Sequence, residues 1–226
     1  PERLERDSSK ELFNSLQKKA IDVAIKARNK ENIKSIKIAG CLPPLYASYK
    51  PNLSPSFKQS VESYKMIVGA QEKYVDLFLC ETMSSITEAK AAITAAKELD
   101  IPIWTCFSIS DNDSLVLRSG ENLKDAIDAI SDLGIQAILL NCSKPESITS
   151  AVETLVKSFN NVGAYANGFT SINNLDAGGT VDKLEARKDL DPEAYSKYAL
   201  SWINSGIKII GGCCEVGPNH IEKIKI

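Results

Sequence analysis

The sequence predicts an α/β fold, a TIM (β/α)8 barrel from which roughly the first two βα units are missing. Three observations predict it. Short apolar runs alternate with amphipathic helical stretches, chemistry-bearing residues fall at the C-terminal ends of different runs, and six runs are present where a closed barrel has eight. Strands that alternate with helices call for parallel pairing through crossovers, with the helices outside the sheet. An open doubly wound sheet fits the alternation equally, but it gathers ligands only near its switch point, whereas a barrel collects residues from many strands onto one mouth.

The elements follow in order. The first 30 residues, with ELFNSLQKKAIDVAIKARNK at 11–30, read as a helix that lacks the strand it ought to follow. The strand candidates are IKSIKIAG (33–40), VDLFLCE (75–81), IPIWTCFSI (101–109), IQAILLNC (135–142), NVGAYANG (161–168) and IKIIGGCC (207–214). Between them, SITEAKAAITAAKELD (85–100) and ENLKDAIDAISDLG (121–134) carry small and apolar residues at three- and four-residue spacing, the signature of amphipathic helices. The final helix, within GPNHIEKIKI (217–226), reads short. Two long loops, LPPLYASYKPNLSPS (42–56) and TSINNLDAGGTVDKLEARKDLDP (170–192), follow strands where substrate-covering segments normally lie.

A single domain over 1–226 is expected, since 226 residues with 43% hydrophobic content can supply one sizeable core. Lys and Arg number 27 against 29 Asp and Glu, so no excess positive charge is available for a nucleic acid backbone or an anionic membrane. No stretch reaches the ~20 apolar residues of a spanning helix, and the start lacks the order of a signal peptide. The expectation is a cytoplasmic protein with reduced thiols; the sequence leaves a homo-oligomer open.

Candidate chemistry centres on cysteine. Zinc accepts thiolates, and a catalytic zinc typically has three protein ligands and an open fourth position. Cys213 and Cys214 supply two, and Cys142 lies 71 residues before Cys213, the length of two βα units. Cys142, Cys213 and Glu81 end strands of the same parity, which in a barrel point into shared layers. Gly211 and Gly212 are expected to let the backbone turn so that both following thiols face one ion. Other readings stay open: a vicinal redox disulfide, a phosphate cradle formed by the glycines, or simple buried thiols, the last being the expectation for Cys41, Cys80 and Cys106. Glu81 directly follows an apolar run, where a carboxylate points to function or to an internal ion pair. Asn167, in YANG, is read either as a functional residue or as a satisfied turn residue. His220 is the only histidine, which excludes a His-rich zinc site, and its place after GPN suits a surface or capping role.

With NC ending one strand, GGCC the last and ETM an earlier one, the sequence resembles the homocysteine S-methyltransferase family. IAGCLPPLYASYKP is similar to that family's third strand and loop, and VDLFLCETMSSITEAKAA to its fourth strand and helix. PIWTCFSI, AILLNCSKPE, VGAYANG and IKIIGGCCEVGPNHI are similar to its strands five to eight. The resemblance implies a TIM barrel that binds zinc through Cys142, Cys213 and Cys214 and methylates homocysteine to methionine, with a small-molecule methyl donor as the second partner. By the same likeness Glu81 matches the carboxylate that holds the amino group of homocysteine, and Asn167 matches a position lining the pocket. Two departures stand out: the Asp-Gly motif of the family's first strand has no counterpart here, and YANG replaces the family's Pro-Asn wording. A related thiol or selenol methyltransferase and a non-catalytic zinc-binding remnant stay open, as do S-methylmethionine, S-adenosylmethionine, betaine and a methylfolate as donors.

Overall fold

A computed structural model of the chain describes residues 1–6, 10–30 and 35–224. Six parallel strands form one sheet: β1 (Ala39–Leu42), β2 (Leu77–Met83), β3 (Ile103–Phe107), β4 (Ala137–Asn141), β5 (Val162–Tyr165) and β6 (Ile209–Ile210). Their spatial order is their chain order, β1-β2-β3-β4-β5-β6. A doubly wound sheet reverses its strand order at a switch point, and no reversal occurs here, so the winding is that of a barrel. Among the described residues β1 and β6 do not pair, leaving six staves of the eight-stranded architecture.

Five of the six strands are shorter than their apolar runs; β2 instead keeps seven residues and runs on through Glu81 to Met83. Residues 33 and 34 of the first run lie outside the described residues, and pairing starts only where Ala39 meets Leu77. Just before that point the Asp76 carboxylate accepts the Ile38 N–H at 2.7 Å, and Asp76 N–H donates to Ile38 O at 2.8 Å. β6 keeps two residues because it pairs only with β5, through Gly163↔Ile209 and Ala164↔Ile210.

The helices are α1 (Glu2–Arg6), α2 (Phe13–Lys30), α3 (Phe57–Gln71), α4 (Ile86–Ala96), α5 (Leu123–Ser131), α6 (Pro145–Ser158), α7 (Pro192–Asn204) and α8 (Pro218–Ile224). Their starts are set by side chains that satisfy first-turn N–H groups. Ser85 accepts from Glu88 N, Asn122 from Lys124 N and Asp125 N, and Asp191 from Ala194 N, while Pro145 and Pro192 occupy first-turn positions that need no donor. From α3 to α7 each helix packs on the next, forming an outer ring. The main core lies between this ring and the sheet and includes Tyr64, Ile93, Ile127, Leu155 and Trp202.

Alternate strand residues face the other way. Cys106, Ala137, Leu139 and Tyr165, with Leu79, Trp104, Ile209 and Cys213 against them, form a separate inner layer. Among the described residues, no helix is long and apolar enough to cross a membrane.

Candidate metal centre

At the C-terminal ends of β4 and β6, the sulfurs of Cys142, Cys213 and Cys214 converge. All three lie within 4.8 Å of one another, the single such cluster of His, Cys, Asp or Glu ligands among the described residues. Cys142 Sγ is 2.7 Å from Cys213 Sγ and 3.9 Å from Cys214 Sγ, and Cys213 and Cys214 are 4.0 Å apart. The strand ends that the parity argument brought together on paper therefore meet in space.

The segment that follows β5 seats both cysteine turns. Cys142 N–H donates to Tyr165 O at 3.1 Å and Cys213 N–H donates to Ala166 O at 3.0 Å. Asn167 N–H donates to Ser143 O at 3.1 Å, and Gly168 N–H donates to Cys214 O at 2.9 Å. Tyr195, from α7, completes the frame: its hydroxyl accepts Ala166 N–H at 3.1 Å and donates to Gly211 O at 2.7 Å.

Of the two glycines expected to be needed for want of a Cβ, Gly212 is the one where a Cβ has no room. Neither Gly211 nor Gly212 takes a left-handed backbone; Cys142 (φ 48°) and Glu215 (φ 63°) do. Gly212 is needed for space, since a Cβ there would lie 2.7 Å from Val216 Cβ and closer still to Val216 Cγ1. The left-handed positions are thus taken by a candidate ligand, Cys142, and by Glu215, which no sequence signal marks.

The thiols are electrostatically coupled. Cys214 is held below the ordinary thiol range because Cys142 and Cys213 both donate to it. Cys213 is pushed far up by its bonds to Cys142 and Cys214 and by burial. Cys142 is pulled down by the bond it receives from Cys213, but its bond to Cys214 and its burial outweigh that and leave it raised. Burial and the mutual bonds thus oppose ionising all three together, and a cation between them would relieve that opposition.

That donor set fits zinc. Tetrahedral thiolate ligands with metal–sulfur bonds of about 2.3 Å keep their sulfurs about 3.8 Å apart. Two of the three separations, 3.9 and 4.0 Å, already match, and the Cys142–Cys213 contact at 2.7 Å has to open by about 1 Å. Soft thiolates favour zinc over magnesium or calcium.

Cys213 packs against the inner layer of the sheet, whereas Cys214 packs against Phe169, Ile172, Leu175 and Leu184. Ile172, Leu175 and Leu184 of the loop at 170–192, expected to cover substrate, therefore pack with one of the three cysteines, Cys214. Beside them, a cleft of about 480 Å³ is lined by Tyr49, Asp111, Arg118, Ile172 and Asn173 among others.

The other predicted residues fall as follows. Glu81 lies within β2, at the rim of the inner layer; its Oε1 accepts from Tyr165 OH and its Oε2 from the Cys41 thiol, each at 3.3 Å. Burial and then the Glu81 charge push the Cys41 thiol up, which keeps it a donor. Cys80 and Cys106 are buried and pushed up by that burial, Cys80 to about 12. Asn167, 1% exposed, accepts Phe169 N–H on Oδ1, and its Nδ2 has no partner among the described residues. His220 accepts Gly217 N–H on Nδ1 and reaches Leu190 O with Nε2, a bracing role at the start of α8.

Sequence reasoning missed Tyr49. Its hydroxyl is 2.9 Å from Cys142 Sγ, and burial, then Cys142, push the phenol far above its ordinary value, so it stays protonated. Its only sequence signal was its place in a loop after a strand.

The model of the homocysteine S-methyltransferase family matches residues 1–226. The chain belongs to the homocysteine S-methyltransferase family. Homocysteine S-methyltransferase 1 of Brassica oleracea var. italica is 26% identical over 252 residues, covering 99% of this chain and 74% of the relative. The apo form of the homocysteine methyltransferase MmuM from Escherichia coli has the same fold, with a TM-score of 0.72 at 21% identity over 94% of this chain and 73% of MmuM. The metallated form of MmuM superposes with a TM-score of 0.67 over 93% of this chain and 69% of MmuM, again at 21% identity. Membership of the homocysteine S-methyltransferase family makes this chain an S-methyltransferase, and the match confirms the barrel winding read from the strand order.

Proposed function

We propose that the chain transfers a methyl group to the thiol of homocysteine, giving methionine, with zinc held by Cys142, Cys213 and Cys214. The observation that carries this reading is the convergence of three sulfurs from two strand ends within 4.8 Å. Family membership supports the reaction class, and the metallated form of MmuM supports a metal in this fold.

When bound, zinc supplies a positive charge that keeps sulfurs ionised and a fourth position open to a substrate sulfur. Every other task falls to the chain. Three cysteine ligands donate strongly, so a substrate thiolate beside them retains its electron density. Glu81 pairs with the substrate ammonium; its two oxygens carry lone pairs beyond those used by Tyr165 and Cys41, which hold the carboxylate in place. The apolar patch of Phe169, Ile172 and Leu175 keeps water from the sulfurs.

Transfer forms a bond between the substrate sulfur and the methyl carbon. It breaks the bond from that carbon to a sulfonium or ammonium centre, which leaves with the electron pair. No proton moves in this step, and positioning carries much of the rate.

The test is Cys213→Ser, assayed for zinc content and for turnover of homocysteine with a panel of methyl donors. The wild-type chain should hold about one zinc and turn over, and the variant should lose both. A variant that keeps full zinc and full activity refutes the site.

A further inference from the structure

The Cys142 ligand sits in a closed network that the metal centre alone does not explain. Tyr49 takes a left-handed backbone (φ 63°), a costly conformation for a residue with a bulky side chain, and there its hydroxyl reaches Cys142 Sγ at 2.9 Å. The Arg118 guanidinium carbon lies 5.2 Å from the centre of the Tyr49 ring, within cation–π range. Arg118 is itself fixed, with Nε donating to Ser108 Oγ at 3.1 Å and Nη2 to Asp111 Oδ1 at 3.0 Å. Ser108 Oγ in turn donates to Cys142 O at 3.4 Å. Arg118 therefore organises both the side-chain and the backbone contacts of one cysteine.

A metal-bound thiolate has no proton to give, so on such a sulfur the Tyr49 hydroxyl can only donate. We propose that Tyr49, by hydrogen-bonding Cys142, directs methylation to the substrate sulfur and away from the protein's own thiolate. This rests on the zinc reading above. A site that gathers four thiolates before one methyl electrophile faces a selection problem, because each sulfur is a nucleophile. Hydrogen bonding withdraws charge from a thiolate and lowers its nucleophilicity, as any stabilisation of the anion does. Among the described residues Cys213 and Cys214 have no such hydroxyl among their hydrogen bonds, although both are more exposed than Cys142, which is 3% exposed. Tyr49 acts through Cys142 and is a positioning residue.

The test uses the zinc-loaded chain and methyl iodide, without homocysteine. Alkylation forms a carbon–sulfur bond and releases iodide with the electron pair of the carbon–iodine bond, and peptide mass spectrometry locates the methyl group. Tyr49→Phe removes the hydroxyl and keeps the ring. Methylation of Cys142 should rise about tenfold in the variant, the effect of losing one charge-assisted hydrogen bond, while Cys213 and Cys214 change less than about twofold. In the cobalt-substituted protein the sulfur-to-metal charge-transfer band should move to lower energy, a change that a ring with a purely packing role does not produce. Equal Cys142 methylation in both proteins, each holding one zinc, overturns the proposal and leaves the metal reading standing. Failure of the wild-type chain to bind zinc overturns both. Should Tyr49→Phe fail to fold, NMR of the wild-type chain loaded with cadmium-113 decides: the Tyr49 hydroxyl proton must show a scalar coupling to the metal through Cys142 Sγ, and a resolved hydroxyl proton without that coupling overturns the proposal.

Discussion

Tyr195→Phe removes one oxygen and breaks two bonds that hold the Cys213 turn. The ring is fully buried, at 0% exposure, so the substitution leaves its packing against Trp202 intact. What it removes is the acceptor for Ala166 N–H at 3.1 Å and the donor to Gly211 O at 2.7 Å. Ala166 is fully buried and its N–H has nowhere else to go, whereas Gly211 is partly exposed and its carbonyl can recover a water. A buried group left unpaired costs about 1–3 kcal/mol, and a carbonyl that regains water costs less. The sum is about 1–4 kcal/mol of stability. Urea denaturation of the metal-free protein should show that loss in the midpoint with an unchanged slope. Zinc affinity should fall as well, because Ala166 and Gly211 position the Cys213 turn. A loss below about 0.5 kcal/mol, or unaltered zinc affinity, refutes the claim that Tyr195 braces the centre.

Three further outcomes follow from the packing. Gly212→Ala drives a Cβ into Val216, which should cost about 1–3 kcal/mol by overpacking and weaken zinc binding; a protein of wild-type stability in denaturation and zinc titration contradicts this. Glu88 is buried and accepts from Ser84 N–H and Ser54 OH, and burial raises its carboxyl above the ordinary 4.5. Its folded form thus keeps a proton to higher pH than the unfolded chain, so its contribution is complete below about 4.5 and is lost as pH rises through the raised value. Glu88→Gln should flatten that decline in a denaturation series across pH, and an unchanged slope counts against it. Arg187 grips Glu146 with one nitrogen at 2.8 Å and Asp189 with another at 2.7 Å, clamping the covering loop to α6. Arg187→Met should cost no more than about 1 kcal/mol yet speed proteolytic cleavage in the 170–192 loop, and equal cleavage rates contradict the clamp.

Much of the site was legible because its signals are local. NC and GGCC each end an apolar run, and the period of two βα units placed them on strands of one parity, which is how β4 and β6 deliver Cys142 and Cys213. Glu81 drew attention for the same reason, as a carboxylate ending an apolar run; the structure sets it between Tyr165 OH and the Cys41 thiol, and its hold on a substrate ammonium is the proposal made above. What was not legible depends on contacts distant in sequence. Tyr49 reaches Cys142 across 93 residues, and nothing in YASYKP distinguishes it from an ordinary loop tyrosine. Tyr195 lies on a helix whose spacing marks it only as core. The want of a Cβ was legible in GGCC, but sequence cannot separate a need for left-handed backbone from the need for space that Gly212 has against Val216. Asn167 shows the limit of a residue-type argument: its side chain makes a local turn, and its backbone helps seat the cysteines. Except at β2, the strand lengths were overread because apolar character continues past the point where a neighbour is available to pair, most plainly at β6.

X-ray absorption at the zinc edge, taken on the metal-loaded chain before and after adding homocysteine, tests the central claim most directly. The account predicts three sulfur neighbours at about 2.3 Å at the start and four once homocysteine is present. A first shell dominated by nitrogen or oxygen, or a sulfur count that homocysteine leaves unchanged, contradicts it.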